Sequence, residues 1–430
     1  MKTGSYIEVE TKDGDLLKGL VMPSDSNILS LKLYSGYNIG LDRKNIKKIK
    51  ELKKEKQKVV KQKEEIKFNE NLKTVSILHT GGTLASRVDY NSGAVSPKFS
   101  PQDILKMFPE IKDIANIKSR LIANMFSGDM RFGHYNIIAK EVEKELRSGV
   151  DGVIVTHGTD TLAFSSCALV FALENLDKPV IFVGSQRSSD RPSSDAAMNL
   201  LCAVNFIVKT DFKDVAICMH SKSGDEYCDI LSACKTKKMH TSRRDAFKTV
   251  NANPIARVNK NGNVEFLQTY PKKEHKNKLT LRLFNKNLKI GILKAHPNLW
   301  RDEIKNYSKF HGLVIEGTGL GHLSVDKIDN ETSENEAIYD EIKKLSKKIP
   351  VVMVSQCMFG RINMNVYQYG RKLQEAGVLG NMLDMTLEAA FIKLSWLLSN
   401  YKKRSDINEL FGKNLRGEIS SRVIFEEEFI

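Results

Sequence analysis

The stretch DGVIVTHGTDTLAFSSCALVFAL, residues 151–173, carries the fold in miniature. A short run of apolar residues breaks into the polar turn THGTDT (156–161). Apolar residues then resume over a length that reads as a helix. KTVSILHTGGTLA (73–85) repeats the theme with a buried strand at Val75–Leu78 and a glycine turn. KPVIFVGSQRSS (178–189) supplies a third strand, followed by the helical AAMNLLCAVNFIV (196–208), and DVAICMH (214–220) a fourth. Continuous apolar strands alternating with helices predict a parallel sheet covered on both faces.

The same grammar restarts after about residue 285. NLKIGILKAH (287–296), HGLVIEGTGLG (311–321) and IPVVMVSQC (349–357) read as strands, and EAAFIKLSWLLSNYK (388–402) as an amphipathic helix. The expected core of the chain is thus a two-domain α/β fold with parallel sheets, over 73–278 and 279–430. The polar stretch YPKKEHKNK (270–278) leads into the connection. Residues 1–50 have a different texture. SYIEVET alternates, DGD turns, and LLKGLVM, ILSLKLY and IGLDRKNIKKI follow at short intervals, which predicts a small all-β, SH3-like barrel. Residues 51–72 are expected to be a lysine-rich linker.

At 430 residues the chain is long enough for several cores. Its formal charge is +15, much of it in the run Lys44–Lys67. Such a run reads as a solvated linker or as a contact for phosphate backbones, and no interleaved aromatic residues accompany it. No basic-then-apolar leader and no long apolar stretch are evident. The six cysteines form no CxxC pair, so reduced thiols, a cytoplasmic location and no membrane are the expectation.

Three polar segments follow apolar strands, at HTGGTLA (79–85), THGTDTL (156–162) and GSQRSSDRPSSD (184–195). Ligands of open α/β sheets collect at such carboxyl ends, so one shared site is expected. Gly81 and Gly82 allow tight turns and bring backbone N–H groups toward a ligand, where they stabilise an anionic oxygen. Neither glycine segment has Walker or dinucleotide spacing, and GTGLGH (317–322) lacks a helix-opening third glycine. Thr80, Thr83, Thr159 and Thr161 are candidate acyl-transfer nucleophiles, with Asp160 between two of them; as turn caps they would look the same. His220, Cys228, Cys234 and His240 match no compact zinc spacing, so no metal is expected.

HTGGTLA and THGTDTL resemble the two signature segments of the bacterial-type L-asparaginase superfamily, and the resemblance runs in order over roughly residues 73–400. With the small N-terminal barrel, HTSRRDAF (240–247) and SQCMFGRINMNVY (355–367), the chain is most similar within it to the D-type chains of archaeal glutamyl-tRNA(Gln) amidotransferase. The resemblance implies Thr80 as nucleophile and places Thr159 and Asp160 on the second signature. It makes Lys238 the active lysine, counting back from Met239-His240-Thr241-Ser242, with Lys235 and Lys237 as close alternatives. Tyr90 is implied as the loop tyrosine assisting the nucleophile. Backbone at Gly81, Gly82 and Gly158 serves the oxyanion, and Asp160 is also suited to the substrate's α-ammonium. Ser127 holds the substrate carboxylate. Gly128 supplies only backbone where the family has a longer polar residue, leaving one contact absent or supplied elsewhere. Glu388 sits near an acidic residue that approaches a neighbouring protomer's site.

The activity implied is a glutaminase whose ammonia passes to an E-type partner chain, converting Glu-tRNA(Gln) to Gln-tRNA(Gln). The assembly implied is a heterotetramer of two D-type and two E-type chains, built on a homodimer of this chain. This chain would bind no cofactor, with ATP and magnesium in the partner. The competing readings are a stand-alone cytoplasmic L-asparaginase and a non-catalytic RNA-binding or scaffold protein.

Overall fold

In the computed structural model, residues 3–24, 27–33, 38–52, 68–82, 86–88, 95–97, 104–105, 108–188, 193–268 and 277–423 are described. The alternation in YIEVET becomes β1 (Tyr6–Thr11), with Ile7, Val9 and Thr11 facing inward. β2 (Leu16–Met22), β3 (Ile28–Leu33), β4 (Asn38–Asp42) and β5 (Ile46–Glu51) complete an antiparallel sheet of order β4-β3-β2-β1-β5. Ile7, Val9, Val21, Leu29 and Leu31 form its small core. β5 takes in the start of the basic run: Lys47, Lys48 and Lys50 are exposed, and Lys47 pairs with Glu10 at 2.6 Å. Those lysines are therefore part of a sheet edge; residues 53–67 of the run lie outside the described residues.

Eight strands build the next sheet: β6 (Thr74–His79), β7 (Asn116–Leu121), β8 (Gly152–Thr156), β9 (Val180–Val183), β10 (Val215–His220), β11 (Tyr227–Ser232), β12 (Ala256–Asn259) and β13 (Val264–Phe266). Their order is β13-β12-β11-β10-β9-β8-β6-β7. The five strands from β7 to β10 in this order are parallel, and β11, β12 and β13 extend the sheet as an antiparallel meander. The parallel part follows the apolar runs. The edge strand β7 (NIKSRL) is too polar to announce itself; its Arg120 is held by Glu141 at 2.6 Å and Glu145 at 2.8 Å. Helices α1 (Phe132–Arg147) and α2 (Leu162–Ala172) cover one face, where Val153, Val155 and Phe182 point. Helix α3 (Ala196–Lys209) covers the other, with Ile77, Ile154 and Ile181.

The C-terminal unit has a parallel sheet of β14 (Ile290–Lys294), β15 (Gly312–Gly317) and β16 (Val351–Ser355), with α4 (Glu334–Lys348) and α5 (Leu387–Asn400). The GTGLGH segment is a tight turn closing a Thr318–His322 bridge, with positive φ at Gly319 and Gly321.

α5 is the helix expected over 388–402, and it is buried on its polar positions as well as its apolar ones. Lys393, Ser395 and Glu388 are buried along with its apolar residues, because the helix packs against α2, β15 and β16 together. Its charges are matched internally: Lys393 meets Glu418 at 2.6 Å with both side chains wholly buried, and Glu388 meets Lys237 at 2.7 Å. One hydrophobic cluster runs from Val153 and Phe171 through Val314, Val352 and Trp396, so the two α/β domains share a core. Thr280 and Leu281 pair with Glu174 and Leu173, so the chain leaves the first domain only after adding a short rung to it. Among the described residues no helix is long and apolar enough to cross a membrane.

Candidate active site

β6, β8 and β9 are neighbours running in one direction, so the segments after them emerge side by side. Thr80-Gly81-Gly82 leaves β6, His157 to Asp160 leaves β8, and Gly184 to Ser188 leaves β9. A fourth segment, Asn124 to Gly128, follows the edge strand β7. Gly81 and Gly82 have φ of +115° and +85°. A Cβ on Gly81 would stand 2.3 Å from the Met125 carbonyl oxygen, and one on Gly82 would stand 2.8 Å from the Gly158 nitrogen. The glycine pair is therefore required twice over, by its left-handed backbone and by the approach of the neighbouring segments.

Thr80 is 1% exposed. Its hydroxyl donates to the Thr156 carbonyl at 3.0 Å, and its N–H donates to the same oxygen at 3.1 Å. Thr156 in turn is held through its hydroxyl by His79 Nδ1 at 2.8 Å, while His79 Nε2 meets Ser119 Oγ at 2.9 Å. The first two signature segments are thus locked together at the hydroxyl that resembles the family nucleophile. A backbone carbonyl is not a base, so attack by Thr80 requires its proton to turn toward one.

The second segment carries a set of paired polar groups. Lys238 Nζ donates to Thr159 Oγ1 at 2.9 Å and to Asp160 Oδ1 at 2.8 Å. Lys238 arrives on a two-stranded ladder, Thr236–Lys238 against Phe247–Thr249. Alternation along this strand separates the lysines: Lys237 turns to Glu388, and Lys238 to the signature segment. Lys235, just before the strand, is buried against Asp384 at 2.8 Å. Burial draws the Lys235 ammonium below the usual lysine range, with Asp384 opposing. Asp160 keeps about half its side chain exposed, open to a cationic group.

A cleft of about 460 Å³ opens over these segments, lined by Gly82, Ser127, Gly158, Thr159, Asp160, Gln186 and Lys238 among others. Ser127 is 2% exposed, and its hydroxyl oxygen is buried with no hydrogen-bond partner among the described residues. A buried hydroxyl without a partner is costly unless a ligand engages it. Ser185 and Gln186 reach the cleft from the GSQRSSDRPSSD segment expected at the shared site, although neither is named there individually, and Phe126 and Thr241 join them without a sequence signal of their own. Ser185 and Gln186 had a usable signal, since they follow an apolar strand just as Thr80 does. Asp195, wholly buried, shapes that loop by accepting from Ser185 Oγ and from the N–H groups of Gln186 and Arg187.

Tyr90 and Thr83 lie outside the described residues. Glu388 is placed at the start of α5 behind the lysine ladder, bonded to Lys237 of its own chain. Of the four residues His220, Cys228, Cys234 and His240, only His220 and Cys228 meet, as cross-strand neighbours with Nδ1 and Sγ 3.9 Å apart. His220 bonds Asn199 at 2.6 Å, Cys234 faces Cys167 at 3.6 Å, and His240 accepts from Ser242 and Arg243 N–H groups. Among the described residues no three His, Cys, Asp or Glu side chains are grouped to hold a metal ion.

Burial pushes the His79 pKa down to about 3 and that of His157 to about 4, so both are neutral at ordinary pH. The unfolded chain protonates them near 6.5, so it binds more protons than the folded chain between that value and the depressed ones. Their stabilising contribution is complete above pH 6.5 and is lost as pH falls toward 4 and then 3. We expect Tm to decline steadily from pH 6.5 to 4, with a shallower decline in His79→Asn. Thermal melts across that range check this, and equal slopes in both proteins would refute it.

The chain is similar to known proteins over nearly its whole length. Residues 74–272 match the family model described as asparaginase, N-terminal, and residues 289–411 the glutaminase/asparaginase C-terminal domain. Residues 1–52 match the GatD N-terminal domain. The chain is 41% identical to the D-type chain of glutamyl-tRNA(Gln) amidotransferase from Pyrococcus furiosus, over 98% of this chain and 95% of that one. It is 41% identical to the corresponding chain of Sulfolobus acidocaldarius, over 98% and 92%. Among solved structures it is similar to the thermostable L-asparaginase from Thermococcus kodakarensis, with a TM-score of 0.70 and 29% identity over 81% of this chain and all of that one.

Proposed function

This chain belongs to the D-type (GatD) family of glutamyl-tRNA(Gln) amidotransferase chains in the asparaginase superfamily, and we propose that it is the glutaminase of such an amidotransferase. Thr80 Oγ attacks the side-chain amide carbon of glutamine. The Thr159–Asp160–Lys238 group handles the proton, and backbone N–H groups around the two signature segments steady the tetrahedral oxyanion. Ammonia leaves, and water then releases glutamate from the acyl-enzyme. The ammonia passes to an E-type partner chain, which converts Glu-tRNA(Gln) to Gln-tRNA(Gln); ATP and magnesium belong to that partner. The assembly is two D-type and two E-type chains, in the cytoplasm.

The observation that carries this reading is the Lys238–Thr159–Asp160 contact beside the buried hydroxyl of Ser127, in one cleft. Ammonia release from glutamine and from asparagine, with and without the E-type partner and Glu-tRNA(Gln), is the test. Release from glutamine in the complete system is expected. Activity confined to asparagine in every condition would mean a free-standing asparaginase, and no release at all a non-catalytic role.

Lys238→Met is expected to lower kcat for glutamine by about 10²–10⁴-fold, the usual share of positioned proton transfer. Steady-state ammonia release measures it. A variant within threefold of the unmodified rate would remove Lys238 from the mechanism.

A further inference from the structure

Gln186 is the second residue of the loop that follows Gly184 after β9, and its side chain lines the same cleft as Ser127, Thr159, Asp160 and Lys238. Its main chain is fixed: the N–H donates to Asp195 Oδ2 at 3.0 Å, and Asp195 also holds the residues on either side. Its side chain is not accounted for. The amide nitrogen, Nε2, is buried and has no hydrogen-bond partner among the described residues. An amide NH₂ carries two donors, and a native chain rarely buries them idle.

Among the described residues, the cleft therefore contains two buried polar groups without partners, the Ser127 hydroxyl and the Gln186 amide. Both can donate. The charges already present, Asp160 and Lys238, are paired with each other at 2.8 Å, so an anionic ligand group turns to the neutral donors of the cleft, among which the Ser127 hydroxyl and the Gln186 amide are the ones buried without partners among the described residues. A carboxylate has two oxygens and accepts several donors at once, more than one hydroxyl can supply. The residue after Ser127 is Gly128, which contributes no side chain, so a second side-chain donor has to come from elsewhere in the cleft.

We propose that Gln186 is a substrate-binding residue whose side-chain amide, together with the Ser127 hydroxyl, holds the α-carboxylate of the amino-acid substrate. This rests on the glutaminase reading above and extends it to the group that recognises a free amino acid. The loop after β9 thereby takes over a contact that the segment after β7 lacks. Gln186 does not touch the reacting amide; it positions the substrate by its other end.

The test uses the full chain assembled with its partner, in a Thr80→Ala background that does not turn substrate over. Calorimetric binding of L-glutamine and of 4-aminobutanamide, which is glutamine without its α-carboxylate, is compared with and without Gln186→Met. Methionine keeps the length of the side chain and removes the amide. The Kd for glutamine is expected to rise about tenfold or more, as for loss of a hydrogen bond to a charged group, while that for 4-aminobutanamide stays the same. Equal weakening of both ligands would make Gln186 only a wall of the cleft, and no change in either would remove it from the site; both overturn the proposal. Failure of the glutaminase reading itself gives a different result, absence of glutamine binding before Gln186 is altered. Unchanged Tm in Gln186→Met confirms that the loop still folds.

Discussion

Thr80→Ala is expected to lower glutamine hydrolysis by at least about a thousandfold while leaving Tm nearly unchanged. Removing a covalent nucleophile leaves only the rate supplied by binding and oxyanion donors, so losses of this size or larger are usual. Stability should hold because the hydroxyl donates to the Thr156 carbonyl, and the Thr80 N–H keeps its own bond to that oxygen. Thr80→Ser restores the nucleophile but drops the methyl group that orients it, and should recover part of the rate. Ammonia release in the assembled complex is the measurement. A Thr80→Ala enzyme at full speed would end the proposed chemistry and make Thr159, a hydroxyl that lines the cleft and contacts Lys238 directly, the next candidate.

The second large effect concerns stability. Lys393→Met should destabilise the protein by about 3–5 kcal/mol, because it leaves the Glu418 carboxylate buried without its cation. Both side chains are fully inaccessible and stand 2.6 Å apart. Burial draws the Lys393 ammonium below the usual lysine range, with Glu418 opposing. Glu418 also accepts from the Leu415 and Arg416 N–H groups, so it anchors the segment that follows a further helix, Arg404–Phe411, onto α5. Replacing both partners, Lys393→Met with Glu418→Gln, removes the stranded charge and should return most of the loss. Thermal and denaturant melts of the single and double variants decide it. A single variant as stable as the unmodified chain would show that the pair contributes nothing.

The two effects separate chemistry from scaffold. The first is predicted to spare the fold, and the second to act on the fold and to reach the cleft only through α5. α5 connects the two questions physically, since Lys393 lies along its length while Glu388, near its start, holds Lys237 on the strand that presents Lys238. Loosening α5 should therefore also raise the spread of Lys238 positions, and kcat should fall before the whole domain melts.

The strand–turn–helix repeats were legible because they are local. A run such as GVIVT is apolar over most of its length, so it declares a strand buried on both faces without reference to anything distant. Gly81 and Gly82 announced a special backbone for the same reason, and the parallel direction of β6, β8 and β9 then obliges their loops to meet. What stayed hidden depends on partners far along the chain. Lys235, Lys237 and Lys238 are alike in local chemistry, and only the resemblance set Lys238 apart; their fates divide physically when Asp384, Glu388 and Asp160 come within bonding distance. Lys393 looks like the polar face of a surface helix until Glu418 and the second domain close around it. Gln186 is one polar residue in a polar loop, and only folding buries its amide nitrogen and brings the residue to the cleft that Ser127 also lines. Periodicity and turn chemistry reach a few residues along the chain, whereas burial and charge pairing are properties of groups that become neighbours only in the folded state.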